Sequence, residues 1–200
     1  MIRQHLVLFV RAPRLGVGKR RLAAEAGDIA ALRFERAMLG LLSRRLGRDR
    51  RWQLRLAVTP NRSVAYRRLW PPGATIQPQG GGDLGVRMWR ALRTCPPGPA
   101  VLVGADIPRL TAHHIADAYR LLGMYDLVFG PAGDGGFWLV GARRSPRLPP
   151  LFGTVRWSGP HALADVLGNL PRRLSVGLGA RLDDVDGAAS LDRLAPPRGF

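Results

Sequence analysis

The chain has 200 residues, 46% of them apolar, and carries 31 basic against 14 acidic side chains, a formal charge of +17. This length suits one domain able to bury a core, and the balance is that of a globular chain rather than a disordered or collagenous one. The longest apolar runs are strand-sized, which excludes a membrane-spanning helix, and the lone cysteine, Cys95, excludes an intramolecular disulfide and a cysteine metal cluster.

In chain order, residues 5–11 form a nearly continuous apolar run, the pattern of a buried central strand. Pro13 and Gly16 break it. Ile29, Leu32, Arg33, Ala37, Leu41 and Leu42 then recur at helical spacing, and Gly47 ends that helix. Residues 54–59 read as a second strand, with Asn61 as the cap of a helix running to about Trp70. A short strand is expected at 75–77. Asp83 is an N-cap for a helix carrying Leu84, Met88, Ala91 and Leu92. Residues 99–104 are another buried strand, and Thr111 caps a helix to about Leu122. Strands follow at 126–129 and 137–140, close enough to pair antiparallel. Ser158 is expected to cap a helix to about Leu167, residues 174–178 form the last strand, and a terminal helix spans about 188–194. Alternating strands and helices predict an α/β fold, a mostly parallel sheet covered on both faces. One domain over 1–195 is expected, with residues 196–200 as a frayed end.

Residues 6–10 are too short for a signal-peptide core and run straight into Arg11, so the cytoplasm is the expected compartment. The charge invites a nucleic-acid reading, but the arginines are spread over the whole chain and no recognised nucleic-acid motif is present. Nucleic acid is therefore not the expected partner; a phosphorylated small molecule would be drawn by the same field.

Lysine occurs once, at Lys19, against thirty arginines. It lies in Gly16-Val17-Gly18-Lys19-Arg20-Arg21-Leu22, directly after the first strand. A glycine-bearing loop between a strand and a helix can aim backbone N–H groups at phosphate oxygens, and a compact ammonium suits that setting better than a flat guanidinium. Acids are scarce, with glutamate only at Glu25 and Glu35. Asp106 ends a buried strand, where it either accepts backbone N–H bonds in the turn or holds Mg²⁺ or Mn²⁺ against a diphosphate. Asp184 and Asp186 flank Val185 after the last strand; Asp186 is a helix cap, a metal ligand, or both. Asp134 in Asp134-Gly135-Gly136 is either a plain hairpin residue or a base for an acceptor's proton. Trp138 and Trp157 are core residues or flat walls of an acceptor pocket, and Arg87 on the helix after Asp83 is a further candidate phosphate contact.

Taken in order, several segments resemble those of one family. They are Val10-Arg11-Ala12-Pro13 with residues 14–22, Gln79 with residues 82–88, residues 104–108, residues 130–141, Trp157-Ser158 and Asp184-Val185-Asp186. The chain resembles the small bacterial GT-A-like transferases known as radical-SAM/selenodomain-associated or arsenosugar-biosynthesis glycosyltransferases, within the nucleotide-diphospho-sugar transferase superfamily. The resemblance implies a GT-A-like three-layer α/β/α sandwich, a nucleotide-sugar donor, an unidentified small-molecule acceptor and a divalent metal, Mg²⁺ or Mn²⁺. It matches Lys19 and Arg21 to the family's basic pair, Asp106 to its strand-end Asp, Asp134 to the Asp of its Asp-Gly-Gly-aromatic turn and Asp186 to the last Asp of its C-terminal Asp-Val-Asp. Together with the reading of the residues above, donor diphosphate is expected on Gly16, Gly18, Lys19, Arg21 and Arg87, metal on Asp106 and Asp186, with Asp134 as catalytic base. Arg20 stands where the family has threonine, Ala105 where it has serine or threonine, and Gly187-Ala188 where Thr-Pro is common. Two alternative functions stand beside it. One is a nucleotidyltransferase resembling the guanylyltransferases of cofactor synthesis; the other is a catalytically inactive nucleic-acid-binding protein.

Overall fold

The computed structural model describes residues 3–144 and 150–183. Among the described residues seven strands form one sheet: β1 (Gln4–Arg11), β2 (Trp52–Thr59), β3 (Thr75–Pro78), β4 (Ala100–Gly104), β5 (Leu127–Pro131), β6 (Phe137–Ala142) and β7 (Val176–Leu178). Their order across the sheet is β3-β2-β1-β4-β6-β5-β7. All run parallel except β6, which is antiparallel to both β4 and β5.

The central strands are apolar throughout because both faces are covered. Leu6, Val7 and Leu8 are fully buried, as are Val101 and Val103. Helices α2 (Asp28–Gly47) and α4 (Ala112–Leu122) cover one face, where Leu6, Leu8, Leu42, Leu46, Val101 and Ile115 share a core. Helices α3 (Leu84–Arg93) and α5 (Ala162–Asn169) cover the other, around Val7, Leu92, Leu102, Phe129 and Val166. Each fully buried Leu or Val contributes roughly 1.5–3 kcal/mol of transfer free energy. A short helix, α1 (Arg20–Ala26), precedes α2 and tucks Leu22 and Ala23 beneath it.

The caps at Asp83 and Thr111 form as the sequence suggests. The Asp83 carboxylate accepts from Val86 N at 2.8 Å, and His114 Nδ1 accepts from Thr111 N at 3.1 Å. Three readings are corrected. Residues 61–70 are not one helix but two 3₁₀ turns, Asn61–Ala65 and Arg67–Leu69. Trp70 Nε1 folds back to the Ser63 carbonyl at 2.8 Å, claiming the acceptor a continuing α-helix would use. Asn61 caps no α-helix; its side chain accepts from Gly80 N at 2.9 Å, tying two loops together. Ser158 does not start α5, which begins at Ala162 after His161. Gly159 precedes Pro160, and a residue before proline is steered out of the helical region.

Many arginines act as carbonyl clamps. Arg45 donates to the carbonyls of Pro108 and Leu110 at 2.8 and 2.6 Å, and Arg144 to those of Pro96 and Cys95 at 2.8 and 2.7 Å. Part of the cationic excess thus holds loops rather than presenting a charged face. Among the described residues no helix is long and apolar enough to cross a membrane. Asp184, Asp186, the expected helix at 188–194 and the frayed end at 196–200 lie outside the described residues.

Candidate functional site

Strand β1 has β2 on one side and β4 on the other, so the chain order reverses at the carboxyl end of β1. Such reversals open a crevice where ligands bind in α/β sheets. The loops following β1 and β4 meet there. Lys19, the N-cap of α1, has a left-handed backbone with φ 43° and ψ 51°. That conformation is uncommon for a residue with a side chain and concentrates at functional loops. It sends the ammonium to Asp106, with Nζ 2.8 Å from Oδ2. The Lys19 side chain is 9% exposed and that of Asp106 42%, so the carboxylate opens to solvent and the ammonium is withdrawn behind it.

A second carboxyl lies below the loop. Glu35, on α2, is half-buried under Gly18, where a Cβ would collide with its carboxyl group. Burial raises the Glu35 pKa to about 7; the neighbouring Asp106 adds to the rise, and Arg11 and Lys19 work against it. Gly18 thus lets the loop lie directly over the Glu35 carboxyl. Gly16, with φ 73°, supplies the turn before it.

On the other side of β1, Gln79 is buried and ties three elements together. Its Nε2 donates to the carbonyls of Val10 and Ala57 at 3.2 and 2.9 Å, and its Oε1 accepts from the Arg87 guanidinium. Arg87 lies over the Phe9 ring at 5.5 Å from its centroid. Burial lowers the Arg87 pKa, and the like charges of Arg11 and Arg90 lower it further. A half-buried guanidinium crowded by other cations is a setting that an anion relieves. Arg21 projects from the exposed side of α1.

Beyond Asp106 lies a cavity of about 220 Å³ bounded by Gly104, Asp134, Phe137, Trp138, Trp157 and Ser158. Asp134 sits in the β5–β6 hairpin, where its Oδ1 accepts from Gly136 N at 2.8 Å. It is both a turn residue and an exposed group on the cavity, so the two roles read from the sequence coexist. Trp138 is a core residue that also lines the cavity, its Nε1 donating to the Ala180 carbonyl at 2.9 Å. Trp157 stands edge-on to Phe137 and Phe152 (centroids 6.4 and 5.8 Å away), with its indole N–H buried and, among the described residues, without a partner.

The structure thus gathers Gly16, Gly18, Lys19, Asp106, Asp134, Trp138 and Trp157 at one sheet edge, with Arg87 across β1. Sequence reasoning passed over Glu35 and Arg11. The scarcity of glutamate was a visible sign for the first, and the position of Arg11 at the end of β1 for the second. Among the described residues no three histidine, cysteine or carboxylate groups converge as a metal cage. A divalent ion bound with phosphate needs only one or two protein carboxylates, and the open carboxylate of Asp106 fits that smaller demand.

Comparison with known proteins agrees with this geometry. A Desulfovibrio desulfuricans G20 protein provisionally assigned as a nucleotide-diphospho-sugar transferase is 28% identical, covering 97% of this chain and 87% of that one with a TM-score of 0.89. The 4-diphosphocytidyl-2C-methyl-D-erythritol synthase of Anaerococcus prevotii shares the fold at 8% identity, with 95% and 94% coverage and a TM-score of 0.62. Rv0371c of Mycobacterium tuberculosis H37Rv, solved in complex with manganese, does so at 18% identity, with 96% and 97% coverage and a TM-score of 0.52. No curated protein matches the sequence. Residues 42–159 match the family described as "Uncharacterized protein conserved in bacteria (DUF2064)". The chain belongs to the DUF2064 family and, with it, to the nucleotide-diphospho-sugar transferase superfamily.

Proposed function

We propose that the protein is a cytoplasmic glycosyltransferase that moves a sugar from a nucleoside-diphosphate donor to a small-molecule acceptor. The carrying observation is the meeting of Lys19 and Asp106 at the β1/β4 reversal, with Asp134 and an aromatic cavity on the same edge. The donor diphosphate lies on the Gly16–Gly18 loop against Lys19 and Arg87, with Arg21 adding to the field. An ammonium has three donors, so Lys19 can keep Asp106 and still bond a phosphate oxygen. Asp106, joined by Asp186, would hold Mg²⁺ or Mn²⁺, a Lewis acid that neutralises diphosphate charge. The manganese bound by the mycobacterial protein of this fold supports that choice.

The acceptor hydroxyl enters the cavity between Trp138 and Trp157 and attacks the anomeric carbon. Asp134 takes its proton while the bond from that carbon to the diphosphate oxygen breaks. The leaving diphosphate carries away the bonding pair, and Lys19 and Arg87 stabilise the charge that grows on it. The narrower resemblance to radical-SAM-associated and arsenosugar enzymes rests on the ordered motifs.

A nucleotidyltransferase is the second reading. The convergence of Lys19, Arg11 and Arg87 would equally serve attack at an α-phosphate. Incubation with nucleotide sugars and with nucleoside triphosphates separates the two. Release of nucleoside diphosphate from a nucleotide sugar supports sugar transfer. Pyrophosphate release from a triphosphate supports the alternative, and turnover of neither class removes both.

A further inference from the structure

A second concavity, of about 610 Å³, lies between α2 and the segment ahead of β3. Arg36, Leu39, Gly40, Ser43 and Arg44 fall at the spacing that puts them on one helical face, and all line it. The opposite wall is Arg68, Leu69, Trp70 and Pro71. None of these residues belongs to the site described above.

Three features say what this groove accepts. Leu39 and Trp70 are buried at 6% and 5% exposure and give it an apolar floor. Ser43 is 7% exposed and adds a small side chain to that floor. Arg36, Arg44 and Arg68 have exposed side chains, and among the described residues none of the three clamps a carbonyl, as Arg45 and Arg144 do, or stands in an ion pair. Arg44 folds back over Gly40, whose missing side chain leaves the room: a Cβ there would stand 3.1 Å from Arg44 Nη1. Glycine is a poor helix former, so this space is held open against local preference.

We propose that this groove binds an amphiphilic carboxylate, with an apolar acyl body on Leu39, Leu69 and Trp70 and its carboxylate between Arg44 and Arg68. The volume lies within the range of small-molecule sites. Carboxylates match the paired donors of guanidinium, and the apolar floor selects against a bare anion. This site is independent of the transferase reading and stands or falls separately.

Calorimetry on the full chain with octanoate, octanol and inorganic phosphate tests it. Octanoate should bind one-to-one, with octanol and phosphate each at least about tenfold weaker. An Arg44→Gln/Arg68→Gln double variant, changed only at exposed positions, should weaken octanoate about tenfold without moving the melting temperature. Ser43→Leu, which fills the floor, should abolish binding in protein that still melts cooperatively. No octanoate binding up to about 10 mM, equal affinity for octanol, or indifference to the double variant would overturn the proposal. Binding to phosphatidylglycerol vesicles but not to octanoate would overturn it in favour of a membrane surface.

Discussion

Lys19 Nζ stands 2.8 Å from Asp106 Oδ2, joining the loops that follow two neighbouring strands, β1 and β4. In a chain that otherwise uses arginine throughout, the one lysine is placed on a left-handed residue and withdrawn behind a carboxylate. A guanidinium is longer and planar, and would not fit behind Asp106 in the same way. Lys19→Met should therefore weaken nucleotide-sugar binding by about 10–100-fold, the worth of one charge-assisted contact, and Lys19→Arg should not restore it. Titration calorimetry of the three proteins with one donor decides this.

Asp134 offers a separation of turn chemistry from reaction chemistry. In Asp134→Asn the side-chain oxygen can still accept from Gly136 N, so the melting temperature should hold. The proton acceptor is gone, and nucleoside-diphosphate release should fall by about 10²–10⁴-fold. A comparable fall in melting temperature would make Asp134 a structural residue only.

Glu35 makes stability depend on pH with a defined sign. Its folded pKa of about 7 lies above the ordinary value of 4.5, so the folded state holds the proton more tightly than the unfolded chain. Stability is greatest below the unfolded pKa, declines as pH rises from about 4.5 to about 7, and stays reduced above that. Glu35→Gln should stabilise the protein at pH 8 by on the order of 1–2 kcal/mol, after allowance for solvent screening of a half-buried group, and change little at pH 4. Thermal melts across this range should converge at the acid end.

Gly18 and Glu35 should be energetically coupled. Gly18→Ala forces a methyl group against the Glu35 carboxyl and should destabilise by about 1–3 kcal/mol. In a Glu35→Ala background the same change should cost much less. A double-mutant cycle by denaturant unfolding measures the difference, and simple additivity would show that Gly18 is required for another reason.

The sheet was readable because its central strands are buried on both faces and so carry unbroken apolar runs. The short polar residues before apolar helical stripes revealed the caps at Asp83 and Thr111. Residues 61–70 misled because the competing contact is tertiary: Trp70 reaches back for the Ser63 carbonyl, and nothing local announces it. Helix α1 escaped notice because only Leu22 and Ala23 of its seven residues are buried, too few for a period. At the site, Lys19, Asp106 and Asp134 each occupy a loop after a strand, where topology alone directs them to one edge. Glu35 sits mid-helix and joins them only because α2 passes beneath Gly18, a relation that spacing does not encode.

The central claim is that the Lys19–Asp106 edge holds a nucleoside diphosphate with the help of a divalent ion. Calorimetry with UDP-, GDP- and CDP-sugars, with and without Mn²⁺, on the natural chain and on Asp106→Asn tests it most directly. The account predicts one-to-one binding of at least one donor, strengthened by Mn²⁺, with that strengthening lost in Asp106→Asn. Failure of every donor to bind, or binding indifferent to both the metal and Asp106, would contradict it.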